Sequence, residues 1–343
     1  PEYNKSVRDF DIVTLDRLKR IEIEPDYETW KEYAYKKGVH ASVMTYLAAR
    51  KKDFYKIENA ADGKHFVTAR GWDDLSGMIK LYEENGLAVD EQLICQYLQD
   101  VRISKDFAIY YDLFNKYRSD YQVEKILDGT VSESIVLRAE RACMDERLSL
   151  LGLIFDSVTA QLRTVCEREN ILDLVTGQLK ALKEKLKDVS GAAALLSEMI
   201  EAGREKLERG KQSSSISPQA QRETRFMLEY LEEFRAAVMQ SGTAQKDEFS
   251  VVRESFAQKV AELKGLAADG GRALENVFSF CEKAFADGDE ILIFVTELTA
   301  NYYSARFIGR YGCDKYYMHN KQLQFDQRQQ EIIKRMDEIQ WTV

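Results

Sequence analysis

The sequence predicts a mainly α-helical protein whose second half consists of long antiparallel helical hairpins. Only three prolines occur among 343 residues, and long stretches lack both proline and glycine. A β-sandwich or barrel needs turn residues at short intervals, so this composition favours helices. Hydrophobic residues make up 45% of the chain and charged residues 31%. That balance provides enough apolar material for a core and is typical of a globular protein.

The first part of the chain predicts a short strand, a helix and a small hairpin. Residues 17–24 (RLKRIEIE) alternate in polarity and contain two β-branched isoleucines, which is typical of a strand. Asp26 is a good N-cap for the helix that follows, and Gly38 is a typical helix end. Asp62-Gly63 lies between two strand-like segments and favours a hairpin turn.

Further short helices are predicted up to about residue 130. The segment WDDLSGMIKLYEENG places its apolar residues on one helical face and ends at Asn85-Gly86. Two more helices follow, and the second is rich in aromatic residues that suit a packed core. Asp128-Gly129 marks a break, after which Ser132 is a good cap for the next helix.

Beyond residue 131 the apolar spacing predicts much longer helices. One seam steps by three and four residues, which is the heptad pattern of packed helices. We expect this seam to lie in an intramolecular hairpin, with an oligomerisation helix as the alternative. Residues 210–219 (GKQSSSISPQ) are polar and rich in serine, and they predict a linker. The seam consists of Leu172, Val175, Leu179, Leu182, Leu186 and Val189.

The charge distribution argues against binding to nucleic acid or to a membrane. The formal net charge is −9, and basic residues alternate with acidic ones, as in LKALKEKLKD, which is typical of a solvated helix face. Binding to phosphates needs clustered and unopposed Lys and Arg. The longest apolar run, residues 291–295, is far shorter than the roughly 20 residues that span a bilayer. The first residues are charged and lack the apolar stretch of a targeting signal.

The residues that carry common chemistry are sparse. Five widely spaced cysteines without a CxxC pair are typical of reduced, buried thiols in a cytoplasmic protein. Cys313 and His319 are the candidate Cys–His pair, while His40 and His65 lie far away in the sequence. The motifs GxxxxGK[ST], HExxH and GxSxG are absent. Taken by themselves, the residues predict a soluble helical protein without an active site of its own.

The first seventeen residues, PEYNKSVRDFDIVTLDR, resemble the segment that follows sensor 1 in MoxR-type AAA+ ATPases. In that family an Asn-Pro pair is followed at this distance by Leu-Asp-Arg and then by the last strand of the nucleotide-binding sheet. The resemblance makes Arg17 the arginine finger, which reaches the γ-phosphate held by the neighbouring subunit. A guanidinium is a permanent planar cation that stabilises charge on a transferring phosphoryl group. Arg8 and Arg20 are the alternatives for this role.

A second segment, TARGW (68–72), opens a predicted helix where the family carries a Ser-Pro-Arg-like sensor 2. The resemblance implies that Arg70 touches the γ-phosphate of ATP bound in its own subunit. Residues 290–321 resemble the C-terminal extension of MoxR-like ATPases from anaerobic bacteria.

The resemblance divides the chain into three regions. Residues 1–25 would be the C-terminal edge of the AAA+ core, residues 26–130 a lid-like helical domain, and residues 131–343 a long-helix extension with a linker near 210–219. In the family the phosphate loop, the Mg-binding acidic motif and the sensor-1 Asn all precede the segment that begins here. The chain is therefore expected to be the C-terminal portion of a longer ATPase and not to hydrolyse ATP alone.

The function implied by the resemblance is ATP-driven protein remodelling or complex assembly by a ring of subunits. ATP and Mg would be cofactors of the complete protein, with none expected on this chain alone. The implied partners are other subunits of the ring, protein clients and a protein with a von Willebrand factor type A domain. The alternative is a non-enzymatic helical scaffold whose long hairpins bind partner proteins.

Overall fold

The protein is described here from a computed structural model, which covers residue 17 and residues 24–60, 63–186, 191–213, 215–242, 248–286 and 288–321. Over these ranges the structure is mainly helical, which confirms the predicted fold class at that level, and one two-stranded sheet is present. The helices α1 to α7 span Tyr27–Lys37, Ala41–Ala49, Ala69–Glu84, Glu91–Tyr97, Val101–Tyr121, Val123–Leu127 and Glu133–Arg141. The helices α8 to α13 span Met144–Lys185, Ala192–Gln212, Pro218–Ser241, Glu248–Ala284, Glu290–Ala300 and Tyr302–Tyr311.

The predicted hairpin is confirmed. Strand β1 (Lys56–Ala60) pairs antiparallel with β2 (Gly63–Val67), and the residues opposite each other at the turn are Ala60 and Gly63. Phe66 N–H donates to the Gln99 carbonyl at 3.0 Å, so β2 is also tied to the connection between α4 and α5.

Most of the predicted strand at 17–24 lies outside the described residues. Arg17 has helical backbone geometry and is exposed, and Glu24 belongs to no regular element. The domain edge predicted at 1–25 is likewise mostly outside the described residues.

Helices α1 to α5 and the hairpin form an N-terminal lobe around an aromatic core. Trp72 at its centre is fully buried, and its ring lies 5.7 Å from that of Tyr46 and 5.3 Å from that of Phe107. Aromatic pairs at such centroid distances stabilise a core beyond the area that they bury. The indole N–H donates to the Asp53 carbonyl at 3.2 Å, so the buried donor is satisfied. This packing fixes the start of α3, where Arg70 lies.

Helix α8 is the common wall of the remaining cores. Its first half packs against α5, α6, α12 and the second half of α11. Its second half joins α9, α10 and the first half of α11 in a distal bundle. The predicted seam packs within the chain: Leu172, Val175 and Leu182 are buried, and Leu179 and Leu186 pack against them. Val189, the last residue of the predicted seam, lies outside the described residues. The predicted linker at 210–219 contains the short connection between α9 and α10.

Asn301 separates α12 from α13. Its side-chain oxygen accepts hydrogen bonds from the backbone N–H groups of Tyr303 at 2.9 Å and Ser304 at 3.1 Å, which is an N-cap arrangement. The chain therefore turns at this point, and α13 folds back onto α8. The predicted domain boundary near residue 130 falls between α6 and α7, although the core beside α8 also includes Phe114 and Val123 from before that boundary.

Candidate functional site

Arg70 lies in the first turn of α3, where the sequence places the start of a helix. The Thr68 hydroxyl caps this helix by accepting from Gly71 N–H at 3.2 Å. Gly71 is needed here because a Cβ would lie 2.8 Å from the Tyr97 carbonyl oxygen. The Arg70 side chain is 89% exposed, and its Nε lies 3.5 Å from Asp74 Oδ2. The local fold therefore presents a guanidinium to solvent beside a helix N-terminus.

Arg17 is exposed on helical backbone, while Arg8 and Arg20 lie outside the described residues.

A central cavity of about 850 Å³ lies between the N-terminal lobe and α8. Its walls come from α1, α2 and α5 on the lobe side and from α8, α12 and the start of α13 opposite. On α8 the lining residues Ser149, Gly152 and Asp156 follow each other at helical spacing, so one stripe of the helix faces the cavity. Gly152 permits the close approach of α2, because a Cβ there would overlap the Thr45 methyl group.

Asp156 is the unusual member of this stripe. Among the described residues, none donates a hydrogen bond to its carboxylate or forms an ion pair with it. Burial raises the pKa of the carboxyl, and the positive charges of His40, Lys80 and Arg118 only partly oppose that effect. A half-buried carboxyl that lines a cavity without a partner among the described residues is a feature of ligand sites more than of structural cores.

Two basic side chains converge on the C-terminal end of α1, at the inner edge of the cavity. Lys80 Nζ donates to the Gly38 carbonyl, and burial lowers the pKa of this lysine. The Arg163 guanidinium lies against Gly38, so that a Cβ at this left-handed residue (φ 73°) would overlap it. Cations at a helix C-terminus are stabilised by the helix dipole. Arg163 is also paired with Glu167 at 2.8 Å.

His40 links α1 to α2 behind this edge. It is 7% exposed; its Nε2 lies 3.1 Å from Glu83 Oε2, and its Nδ1 lies 2.7 Å from the Ser42 hydroxyl. Tyr111 donates a further hydrogen bond to Glu83 at 2.8 Å. Burial alone would raise the pKa of Glu83, but the bonds from His40 and Tyr111 outweigh it and lower that pKa. His40 and Glu83 therefore satisfy each other's hydrogen-bonding groups.

A third polar group closes the far side of the cavity. Glu297 of α12 is paired with Lys31 of α1 at 2.5 Å and accepts a hydrogen bond from the Tyr35 hydroxyl. Burial and the Glu297 charge raise the pKa of Tyr35, so its hydroxyl stays protonated. These contacts fasten the N-terminal lobe to α12.

The cysteines do not form a nucleophilic site with histidine. Cys313 Sγ lies 3.3 Å from Glu275 Oε1, whereas His319 is paired with Glu282 at 3.0 Å and stacks on Phe278. Burial raises the pKa of Cys313 to about 12 and that of Cys166 to about 11. All five thiols are free, as predicted. Within the described ranges, no group of three or more His, Cys, Asp or Glu residues is placed to hold a metal ion.

The sequence pattern singled out Arg70 and Arg17 but passed over the cavity residues. One signal was present: Asp156 interrupts the otherwise apolar and small run LLGLIFDSVTA in α8. An acid inside an apolar helical stripe either has a buried partner or faces a site. Lys80 and Glu297 gave no comparable signal, because they lie on charged or mixed helices.

Helix α8 (Met144–Lys185) is, by length and composition, the described helix that could cross a membrane. Half of its most apolar window is buried inside the protein, as in the core helix of a water-soluble fold. Comparison with known protein families, curated proteins and solved structures finds no match to the chain.

Proposed function

We propose that the chain is the lid and C-terminal extension of a MoxR-like AAA+ ATPase, in which Arg70 contacts the nucleotide in its own subunit. The observation that carries this proposal is the position of Arg70, 89% exposed in the first turn of a capped helix. A helix N-terminus attracts anions, and a guanidinium beside it provides a second, mobile positive charge for a phosphate.

The contact that Arg70 makes now would be easy to exchange for a phosphate. Its partner Asp74 is one helical turn away and 54% exposed. Exposed ion pairs of this kind contribute about 0.5 kcal/mol. A γ-phosphate carries more charge and accepts two parallel hydrogen bonds from a guanidinium, so it would compete successfully with Asp74.

Arg17 would act in the neighbouring active site as the arginine finger. Its exposure leaves the guanidinium free to reach another subunit. ATP would be held mainly by the phosphate loop of the complete protein, and Mg by its acidic motif. Among the residues described here, Arg70 fits the phosphate, and no carboxylate group fits the metal.

The remaining helices would serve the assembly of the ring and its clients. The long α8–α11 hairpins extend away from the lobe that carries Arg70 and offer surfaces for protein clients or for a partner with a von Willebrand factor type A domain. The mixed surface charge and net −9 agree with a cytoplasmic protein that binds proteins rather than nucleic acid.

The test uses the full-length ATPase with Arg17→Ala, Arg70→Ala and the control Arg209→Ala. Arg209 forms an exposed pair with Glu205 in the same i,i+4 geometry but lies in the distal bundle. We expect Arg17→Ala to lower ATP turnover about a thousandfold with nucleotide binding nearly intact. We expect Arg70→Ala to weaken both binding and turnover, and Arg209→Ala to change neither.

The trans and cis roles are separated by mixing subunits. Rings of Arg17→Ala subunits mixed with subunits that carry an inactive phosphate loop should regain turnover, because each partner supplies what the other lacks. Unchanged turnover in both single variants would remove the roles of Arg17 and Arg70, whereas absence of turnover in the full-length protein would remove the ATPase assignment and leave the helical scaffold as the function of the chain.

A further inference from the structure

We propose that the central cavity between the N-terminal lobe and α8 binds a small organic cation, a primary amine with an apolar body, through the carboxylate of Asp156. This site is separate from the nucleotide contacts proposed for Arg17 and Arg70. Neither arginine lines the cavity, so the two proposals succeed or fail independently.

The cavity has the size and the walls of a ligand site. Its volume of about 850 Å³ lies in the usual range of roughly 300–1,000 Å³ for small-molecule pockets, which often form where two parts of a fold meet. Met44, Phe155 and Phe294 supply apolar and aromatic walls. An aromatic or branched apolar group would replace water along these walls and gain by its burial.

The carboxylate of Asp156 is the anchor because it is the one half-buried acid of the cavity wall that lacks a partner in the described structure; Asp145, the other unpaired acid of the wall, is exposed. Glu297 already binds Lys31 and Tyr35, and Glu83 already binds His40 and Tyr111. An ammonium group at Asp156 would make a charge-assisted hydrogen bond in a place shielded from water. That bond compensates the cost of burying the carboxylate.

The basic residues of the cavity do not offer a matching site for an anion. Lys31 is paired with Glu297, Arg163 is paired with Glu167, and Lys80 donates to the Gly38 carbonyl. An anionic ligand would share donors with these contacts and would be repelled by the Asp156 carboxylate, whereas an amine takes a vacant acceptor. The pairing of the charged residues that line the cavity therefore favours a cationic ligand over an anionic one.

Entry is available from the side of α2 and α5. Ile109 is 64% exposed and lines the cavity together with the exposed Ala48 of α2. An apolar ligand body would pass these residues before its amine reaches Asp156. A bulky side chain at Ala48 would narrow this entrance without entering the core.

The experiment compares three probes of the same shape: 4-phenylbutylamine, 4-phenylbutanol and 4-phenylbutyrate. Binding to the full chain is measured by isothermal titration calorimetry at neutral pH. We expect the amine to bind at least about tenfold more tightly than the alcohol or the acid, because only the ammonium group makes a charge-assisted hydrogen bond with the carboxylate in which both groups are ionised. Equal binding of the alcohol would overturn the proposal, because the cavity would then select only for apolar surface.

Two variants locate the site. Asp156→Asn keeps the shape of the side chain and should lose the preference for the amine, while Ala48→Trp should weaken all three probes. Asp173→Asn, an exposed carboxylate on the same helix outside the cavity, is the matched control and should bind like the wild type. Retention of the amine preference by Asp156→Asn, in a variant that still unfolds in one cooperative transition, would contradict the assignment.

A pH titration gives an independent readout. The amine and a proton compete for the same carboxylate, so affinity should fall as the pH drops below the pKa of Asp156, with about one proton released on binding. Affinity that is independent of pH between 4 and 8 would contradict the anchor. The charged or titratable groups that surround Asp156 are His40 from the α1–α2 connection, Lys80 and Glu83 of α3, Arg118 of α5 and Arg163 of α8.

Discussion

Two carboxylates on helix α8, thirteen residues apart, have opposite surroundings. Glu169 is 2% exposed and is bound by Arg306 at 3.1 Å, by Arg310 at 2.9 Å and by the Tyr311 hydroxyl. Asp156 lines the central cavity and has no such partner among the described residues. Both lie on the same helix, so helix propensity does not explain the contrast.

The comparison shows how the same chemical group serves packing in one place and recognition in another. The arginines of α13 satisfy Glu169 and thereby join that helix to α8. The N-terminal lobe does not fill the space beside Asp156, so no such partner among the described residues reaches its carboxylate. Buried carboxylates are normally paired, so the vacant one is the more informative for function.

The largest change in stability should come from removing the charge of Glu169, the paired carboxylate. Glu169→Gln keeps the shape but removes the charge that two arginines bind, so we expect a loss of about 3 kcal/mol in the free energy of unfolding. Urea denaturation measures it. The control Glu205→Gln, in an exposed pair with Arg209, should cost less than about 0.5 kcal/mol. An equally small loss of unfolding free energy in both variants would show that the ion pairs of Glu169 do not stabilise the fold.

Two glycines on α8, Gly152 at the cavity wall and Gly177 outside it, allow a second comparison of stability. Gly152→Ala forces a Cβ onto Thr45 of α2 and should destabilise the protein by about 1–3 kcal/mol. Gly177→Ala meets no atom within 4 Å and should stabilise it by about 0.5–1 kcal/mol through helix propensity. Thermal and urea unfolding of the two variants give the difference. The same sign in both would mean that α2 does not pack on α8 at this place.

The smallest expected effect has the opposite sign to that of Glu169. Asp156→Asn removes a half-buried carboxylate whose desolvation is only partly offset by nearby charges, so we expect a gain of about 1 kcal/mol in the free energy of unfolding at neutral pH. Destabilisation by Asp156→Asn in the absence of ligand would show that the carboxylate has a structural partner.

The pH dependence of that gain follows from the raised pKa of Asp156. The folded protein holds the proton to a higher pH than the unfolded chain, whose carboxyl titrates near pH 4. The folded state is thus progressively disfavoured as the pH rises through and above that value, until the folded carboxyl is ionised as well. The stability advantage of Asp156→Asn should therefore be absent at pH 3 and grow with rising pH. An advantage that is constant from pH 3 to 8 would contradict the raised pKa.

Local signals in the sequence predicted local structure well. Asp26 and Gly38 do begin and end α1, with the Asp26 carboxylate capping Thr29 N–H at 2.7 Å and Gly38 at φ 73°. The turn at Asp62-Gly63 correctly indicated the hairpin, and the heptad seam correctly indicated packing within the chain. Each of these depends on residues close in sequence, where cap chemistry and spacing decide the outcome.

Contacts between distant segments could not be predicted in this way. The pairing of Lys31 with Glu297 joins residues 266 positions apart, and nothing in either local sequence indicates it. The cavity is formed by segments from residue 27 to residue 303, so its existence depends on how the lobe docks on α8.

The length of α8 has a mechanical consequence. Its 42 residues form a rod of about 63 Å at 1.5 Å per residue, with the cavity wall near one end and the distal bundle at the other. A rod amplifies rotation in proportion to its length. A tilt of about 5° at the lobe would displace the bundle by about 5 Å by this geometry. A small change in the angle between the N-terminal lobe and α8 would therefore move the distal bundle by a distance comparable to the diameter of a side chain.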